Sequence, residues 1–98
     1  MHQTTRLSTC LSTCALFLAL SGAAMAQDYG AMPCEDLWYT RNAYYKEAGY
    51  CFRTARAINA FGNAGCIHDD MGAVPLSPAA RRAIAAIQDW ERRRGCPR

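Results

Sequence analysis

Four cysteines, Cys34, Cys51, Cys66 and Cys96, constrain this 98-residue chain more than any other feature it carries. Their separations are 17, 15 and 30 residues, with no close Cys-x-x-Cys pair and no histidine after His68. Structural zinc takes close-spaced thiolate and imidazole ligands, so the set does not read as a metal site. An even number of widely spaced cysteines in a short chain reads instead as two disulfides, which places the protein in an oxidising compartment.

The remaining two cysteines, Cys10 and Cys14, belong to a different kind of segment. Met1 to Arg6 is a short polar start with one positive charge, Cys14 to Leu20 is an unbroken apolar run, and Ala24-Met25-Ala26 is a small-x-small tripeptide. That pattern predicts a secretory signal peptide over residues 1–26, cleaved after Ala26, and a mature domain over residues 27–98. The apolar run is far below the roughly 20 residues a spanning helix needs, so the mature form is not expected to cross a membrane. No cysteine directly follows the run, so no lipid anchor is expected either. The expected location is periplasmic or secreted.

The mature part holds 72 residues, with ten Lys and Arg against eight Asp and Glu. Its nine aromatics are matched by only nine large aliphatic or Met residues, with thirteen alanines between them. At this size the gain from burial and the loss of chain entropy nearly cancel, so cross-links decide whether the domain holds together. Four cysteines allow three pairings, and the preferred one joins Cys51 with Cys66 and Cys34 with Cys96, because each bridge then clips a whole structural unit. In the chain-entropy description those loops contribute about 3 and about 4 kcal/mol.

The expected fold class is mainly α, a small three-helix domain stapled by disulfides, with an ordered loop between the second and third helices. In the first helix, Cys34 to Ala48, the large side chains Leu37, Trp38, Tyr44 and Tyr45 recur at helical steps, and Gly49 stops it. Pro33 before it and Glu35 and Asp36 in its first turn suit a helix start. A short second helix runs from a Thr54 cap through Ala55 to Phe61, with Ile58 and Phe61 on one side, and ends at Gly62. Cys66 to Leu76 reads as the ordered loop, punctuated by Asp69-Asp70, Gly72 and Pro75. The third helix has Ser77 as cap and Pro78 at its first position. Ala80, Ala83, Ile84, Ile87 and Trp90 follow at helical spacing, Arg92 to Arg94 lie in its last turn, and Gly95 is the stop. No alternating run is long enough for a strand.

The stretch from Cys34 to Phe52 resembles the YARHG domain family. The family pattern of Leu-x-x-x-Arg-Asn, an aromatic, a Gly and then a Phe falls on Leu37, Arg41, Asn42, Tyr45, Gly49 and Phe52. A later pattern, Leu-Ser opening a last helix that ends in a Glu, is similar to Leu76-Ser77 through Glu91. The resemblance implies a small extracellular bacterial domain without an assigned molecular function. The motif that names the family stands here as Tyr45-Lys46-Glu47-Ala48-Gly49, without its Ala, Arg and His, so no role of those residues transfers. The residues themselves assign Tyr45 and Phe52 to the core and Gly49 to a left-handed turn. Arg41 and Asn42 are expected to brace carbonyls of the following loop, with ligand binding as the alternative role.

Three groups of residues were candidates for chemistry. Cys66-Ile67-His68-Asp69 presents Cys, His and Asp in the order of the phospholipase A2 run, in which His activates water and Asp holds calcium. That chemistry resides on a long helix, whereas Asp70, Met71, Gly72 and Pro75 here make a loop, so a small secreted hydrolase using His68 and Asp69 is the alternative and not the main reading. Asp69 and Asp70 offer two carboxylates without further regularly spaced oxygen ligands, which reads as loop solvation. A bridged Cys66 has no thiolate for His68 to activate. Arg92, Arg93, Arg94 and Arg98 form a basic terminus interrupted by Asp89 and Glu91, suited to complementing the helix dipole or, as a cationic inhibitor or antimicrobial protein, to meeting anionic polymers and lipid head groups.

The sequence therefore predicts a noncatalytic exported domain, an interaction or structural module of the envelope. No catalytic, cofactor or metal residues are expected and no nucleic acid, and the partner is an unidentified envelope component or protein. Tyr39 and Tyr50 are the aromatics expected to be exposed for contact.

Overall fold

A computed structural model describes residues 28–98; the expected signal peptide, residues 1–26, lies outside them. Among the described residues three α-helices carry the fold: α1, Cys34–Glu47, α2, Ala55–Phe61, and α3, Pro78–Arg94. Short 3-10 turns at Tyr29–Ala31 and Met71–Ala73 complete the regular structure, and no strand forms among the described residues. The second of these turns gives the loop between α2 and α3 its order, with the Asp70 carboxylate accepting from the Gly72 N–H at 3.0 Å.

The helix ends follow local chemistry. Thr54 accepts a hydrogen bond from Ala57 N–H to open α2, and Ser77 accepts one from Ala80 N–H to open α3, which also has Pro78 in its first turn. The exits of α1 and α3 share one geometry. Gly49 turns the chain with φ +90°, and Tyr50 N–H reaches back to Tyr45 C=O at 3.0 Å. Gly95 does the same with φ +66°, and Cys96 N–H reaches Glu91 C=O at 2.9 Å. This six-to-one bond satisfies a carbonyl the helix leaves unpaired and fixes the direction of the next residue. The caps thereby aim Tyr50 at the core and bring Cys96 to its bridging partner.

The two disulfides are Cys34–Cys96 and Cys51–Cys66, with Cα atoms 5.5 and 5.1 Å apart. The first ties the start of α1 to the residue just past the α3 stop, and the second closes the segment that holds α2. Between the bridged ends α1 packs along α3, with Leu37 of α1 and Ile87 of α3 completely buried. Near Cys51 a parallel bridge pairs Tyr50 with His68, made by Cys51 N–H to His68 C=O at 2.8 Å and His68 N–H to Gly49 C=O at 3.0 Å.

A contiguous aromatic series does the work that the sparse aliphatic residues cannot. Tyr45 meets Tyr50 edge-on at 6.0 Å between ring centroids, Tyr50 meets Phe52 at 5.3 Å, Phe52 stacks on Phe61 at 5.2 Å, and Phe61 stacks on Tyr39 at 4.7 Å. Each such pair adds about 0.5–1.5 kcal/mol to the area it buries. One expectation changes here. Tyr50, expected to be exposed, is only 7% exposed, because the α1 cap turns it inward between Tyr45 and Phe52. On α2, Ile58 is 40% exposed, and Ala57 is the buried residue. With Phe61 stacked between Phe52 and Tyr39, α2 approaches close enough that its inward position takes an alanine.

Candidate functional site

Arg41 sits in the middle of α1, and the pairing of the long helices brings it to Glu91, 50 residues away. Its Nε donates to Glu91 Oε1 at 2.7 Å and its Nη2 to Oε2 at 3.1 Å, a two-pronged ion pair. The side chains are 18% and 11% exposed, so the pair is largely withdrawn from water. The expected bracing of loop carbonyls is thus corrected. Arg41 braces α3, a fork matched by a carboxylate being the stronger partner. Asn42, buried beside it, donates through Nδ2 to Trp38 C=O at 2.9 Å within α1 and reaches no loop carbonyl.

A cleft of about 660 Å³ opens beside this pair, over the Cys34–Cys96 end of the molecule, lined by Trp38 and Arg41 from α1, Gln88, Glu91 and Arg92 from α3, and Cys96. Residues 88, 91 and 92 share one helix face because they are three and four positions apart. Trp38 is held in place by its neighbours: the Arg56 guanidinium lies 3.7 Å over its ring, and Arg56 also pairs with Glu35 at 2.5 Å. The cleft therefore combines an apolar indole, an ion pair with hydrogen-bonding capacity left over, and a planar amide. Arg41 was singled out from sequence and Glu91 was placed as the end of the last helix; Gln88 and Trp38 carried no signal as site residues, though the spacing of Gln88 and Glu91 on one face was there to be read.

A second groove of about 440 Å³ lies between the end of α1 and the start of α3, with Tyr44, Ala48, Leu76 and Ala80 on its walls. Nearby, burial pushes the Tyr29 phenol above its ordinary value of 10.0, and a hydrogen bond and the charge interaction with Tyr44 push it the same way.

The other sequence candidates are dispersed. Leu37, Tyr45 and Phe52 are core residues and Gly49 is the α1 exit. His68 is half-buried, and its main chain is committed to the bridge with Cys51 and Gly49. Asp69 follows it in non-helical backbone and is exposed, while its carbonyl accepts from Arg53 Nη2 at 2.8 Å. The Asp70 carboxylate is spent on its own turn. Among the described residues, no three His, Cys, Asp or Glu side chains gather as metal ligands. The basic terminus is partly neutralised: Arg93 and Arg92 both reach Asp89, at 3.0 and 3.5 Å, and Arg94 donates to the carbonyls of Gly30 and Met32, holding the first 3-10 turn against α3. No described helix is long and apolar enough to cross a membrane.

One structural device was not anticipated. The Asn63 side chain pairs with the main chain of Phe52 in both directions, Phe52 N–H to Oδ1 at 2.7 Å and Nδ2 to Phe52 C=O at 2.9 Å. It substitutes for a neighbouring strand where none exists.

Among known protein families, the model of the YARHG domain matches residues 12–92. No curated protein and no solved structure gives a significant match to the chain.

Proposed function

The chain belongs to the YARHG domain family, and from that membership and its cross-linking we propose that it is an exported, noncatalytic interaction module of the bacterial envelope, led out by residues 1–26 and mature as residues 27–98. The observation that carries the proposal is the pair of disulfides, Cys34–Cys96 and Cys51–Cys66. Bridges of this kind persist in oxidising compartments and are reduced in the cytosol, and a small domain with a thin core leans on them. They hold a rigid scaffold on which the α1–α3 cleft is presented to a partner.

Cell fractionation with thiol alkylation tests this. The full chain, expressed in a bacterial host, is expected in the periplasm or medium with Gln27 at its N-terminus and no thiol that reacts before reduction. A cytoplasmic product that keeps residues 1–26, with all six cysteines reactive, would refute export. Hydrolysis of phospholipid or short-chain esters that vanished in His68→Ala would refute the noncatalytic part.

A further inference from the structure

We propose that the α1–α3 cleft is a binding site for a saccharide of one or two rings bearing an acidic substituent. This builds on the interaction-module reading above by giving the module a ligand class.

The argument starts from what the ion pair leaves unused. A guanidinium has five N–H donors. Glu91 takes one from Nε and one from Nη2 of Arg41, so three remain to be directed elsewhere, and each carboxylate oxygen keeps acceptor capacity. The pair is electrically neutral and rigid, offering donors and acceptors side by side. That is a poor match for a simple anion, which needs donors alone, and a good one for adjacent hydroxyls, which both donate and accept. The Gln88 amide adds one more group of each kind on the same wall.

Trp38 supplies the other half of sugar recognition. A pyranose has an apolar C–H surface between its hydroxyls, and an indole offers the broad apolar surface such a ligand needs. Because Arg56 and Phe61 fix Trp38, with Phe61 at 6.1 Å between centroids, little side-chain freedom is lost on binding. The Arg92 guanidinium on the rim shares one carboxylate, Asp89, with Arg93, at 3.5 Å against 3.0 Å, so the two arginines leave net positive charge there. That charge favours a sugar with an acidic group over a neutral one. The cleft's volume, about 660 Å³, falls in the ordinary range for small-molecule sites.

The test is NMR titration of the oxidised protein, isolated after export of the full chain, with glucuronic acid, glucose and acetate as probes. The two tryptophans give separate indole N–H signals, and Trp90 does not line the cleft, so it serves as an internal control. Glucuronate is expected to shift the Trp38 signal saturably with a Kd of about 1 mM, glucose more weakly and acetate hardly at all. Gln88→Ala should weaken glucuronate about fivefold, the value of one hydrogen bond, with thermal stability unchanged, and Arg93→Ala, outside the cleft, should leave binding as it was. Equal shifts with acetate would mean that the site reads charge alone and would overturn the proposal, as would no saturable shift with glucuronate. Either failure leaves the export result standing, because fractionation and thiol reactivity do not depend on the cleft.

Discussion

Removing Arg41, Glu91 or both should show how tightly the two long helices are coupled across the cleft. The pair has two charge-assisted hydrogen bonds, at 2.7 and 3.1 Å, and side chains only 18% and 11% exposed. Hydrogen bonds to charged groups are worth about 1.5–3 kcal/mol. Removing one member of a fully buried pair costs about 3–5 kcal/mol, chiefly by stranding the other charge. Partial exposure to the cleft lowers that figure. Arg41→Ala, which strands the less exposed Glu91, should cost about 3 kcal/mol, and Glu91→Ala about 2, since the longer arginine can turn its head to water. The double variant leaves no stranded charge and should cost about 3 kcal/mol, against the 5 expected from adding the singles. The coupling is then about 2 kcal/mol, read from urea unfolding of the four oxidised proteins by circular dichroism. Because the pair is sheltered, most of the coupling should survive 1 M NaCl, where exposed pairs are screened. Additive singles, with a coupling below about 0.5 kcal/mol, would place this contact among ordinary surface ion pairs and refute the reasoning.

Other perturbations have equally definite outcomes. With loops of 62 and 15 residues, loss of the Cys34–Cys96 bridge should cost about 4 kcal/mol and loss of the Cys51–Cys66 bridge about 3; urea midpoints of the paired Cys→Ala variants in the reverse order would contradict the chain-entropy account. Asn63→Ala gives up both bonds to Phe52 and should lower stability by about 2 kcal/mol, while Asn63→Asp keeps the acceptor and loses the donor; an unchanged melting temperature in the alanine variant would show the pairing to be dispensable. For Tyr29, the folded-state pKa lies above the unfolded value of 10.0, so its contribution is complete below pH 10 and is lost as pH rises through the folded value. Stability should therefore fall in that alkaline window, and less steeply in Tyr29→Phe; parallel pH profiles for the two proteins would rule this out.

Those effects differ in how visible they are from the chain alone. Caps and stops are local: Thr54, Ser77, Gly49 and Gly95 act within a few residues, so the helices they bound are legible in sequence. Leu37, Ile84 and Ile87 are equally legible as core, lying on helical stripes. Arg41 shows where local reading stops. Its neighbours offered loop carbonyls, but its partner is a carboxylate 50 residues on, brought near only because α1 and α3 lie side by side. Tyr50, expected at the surface, is buried for a related reason, since burial at the edge of an element depends on the direction in which a turn sends the chain.

The sequence by itself determined the number and limits of the helices, the need for cross-links in a short aromatic-rich chain, and family membership. These follow from interactions spanning one turn of helix and from composition, which are properties of the chain. The tertiary structure decided that Arg41 meets Glu91, that Asn63 stands in for a strand beside Phe52, and that Trp38 and Gln88 face one cleft. Those are contacts between distant segments, and their energy becomes available only after the entropy of closing long loops has been overcome by the packed helices and the two disulfides.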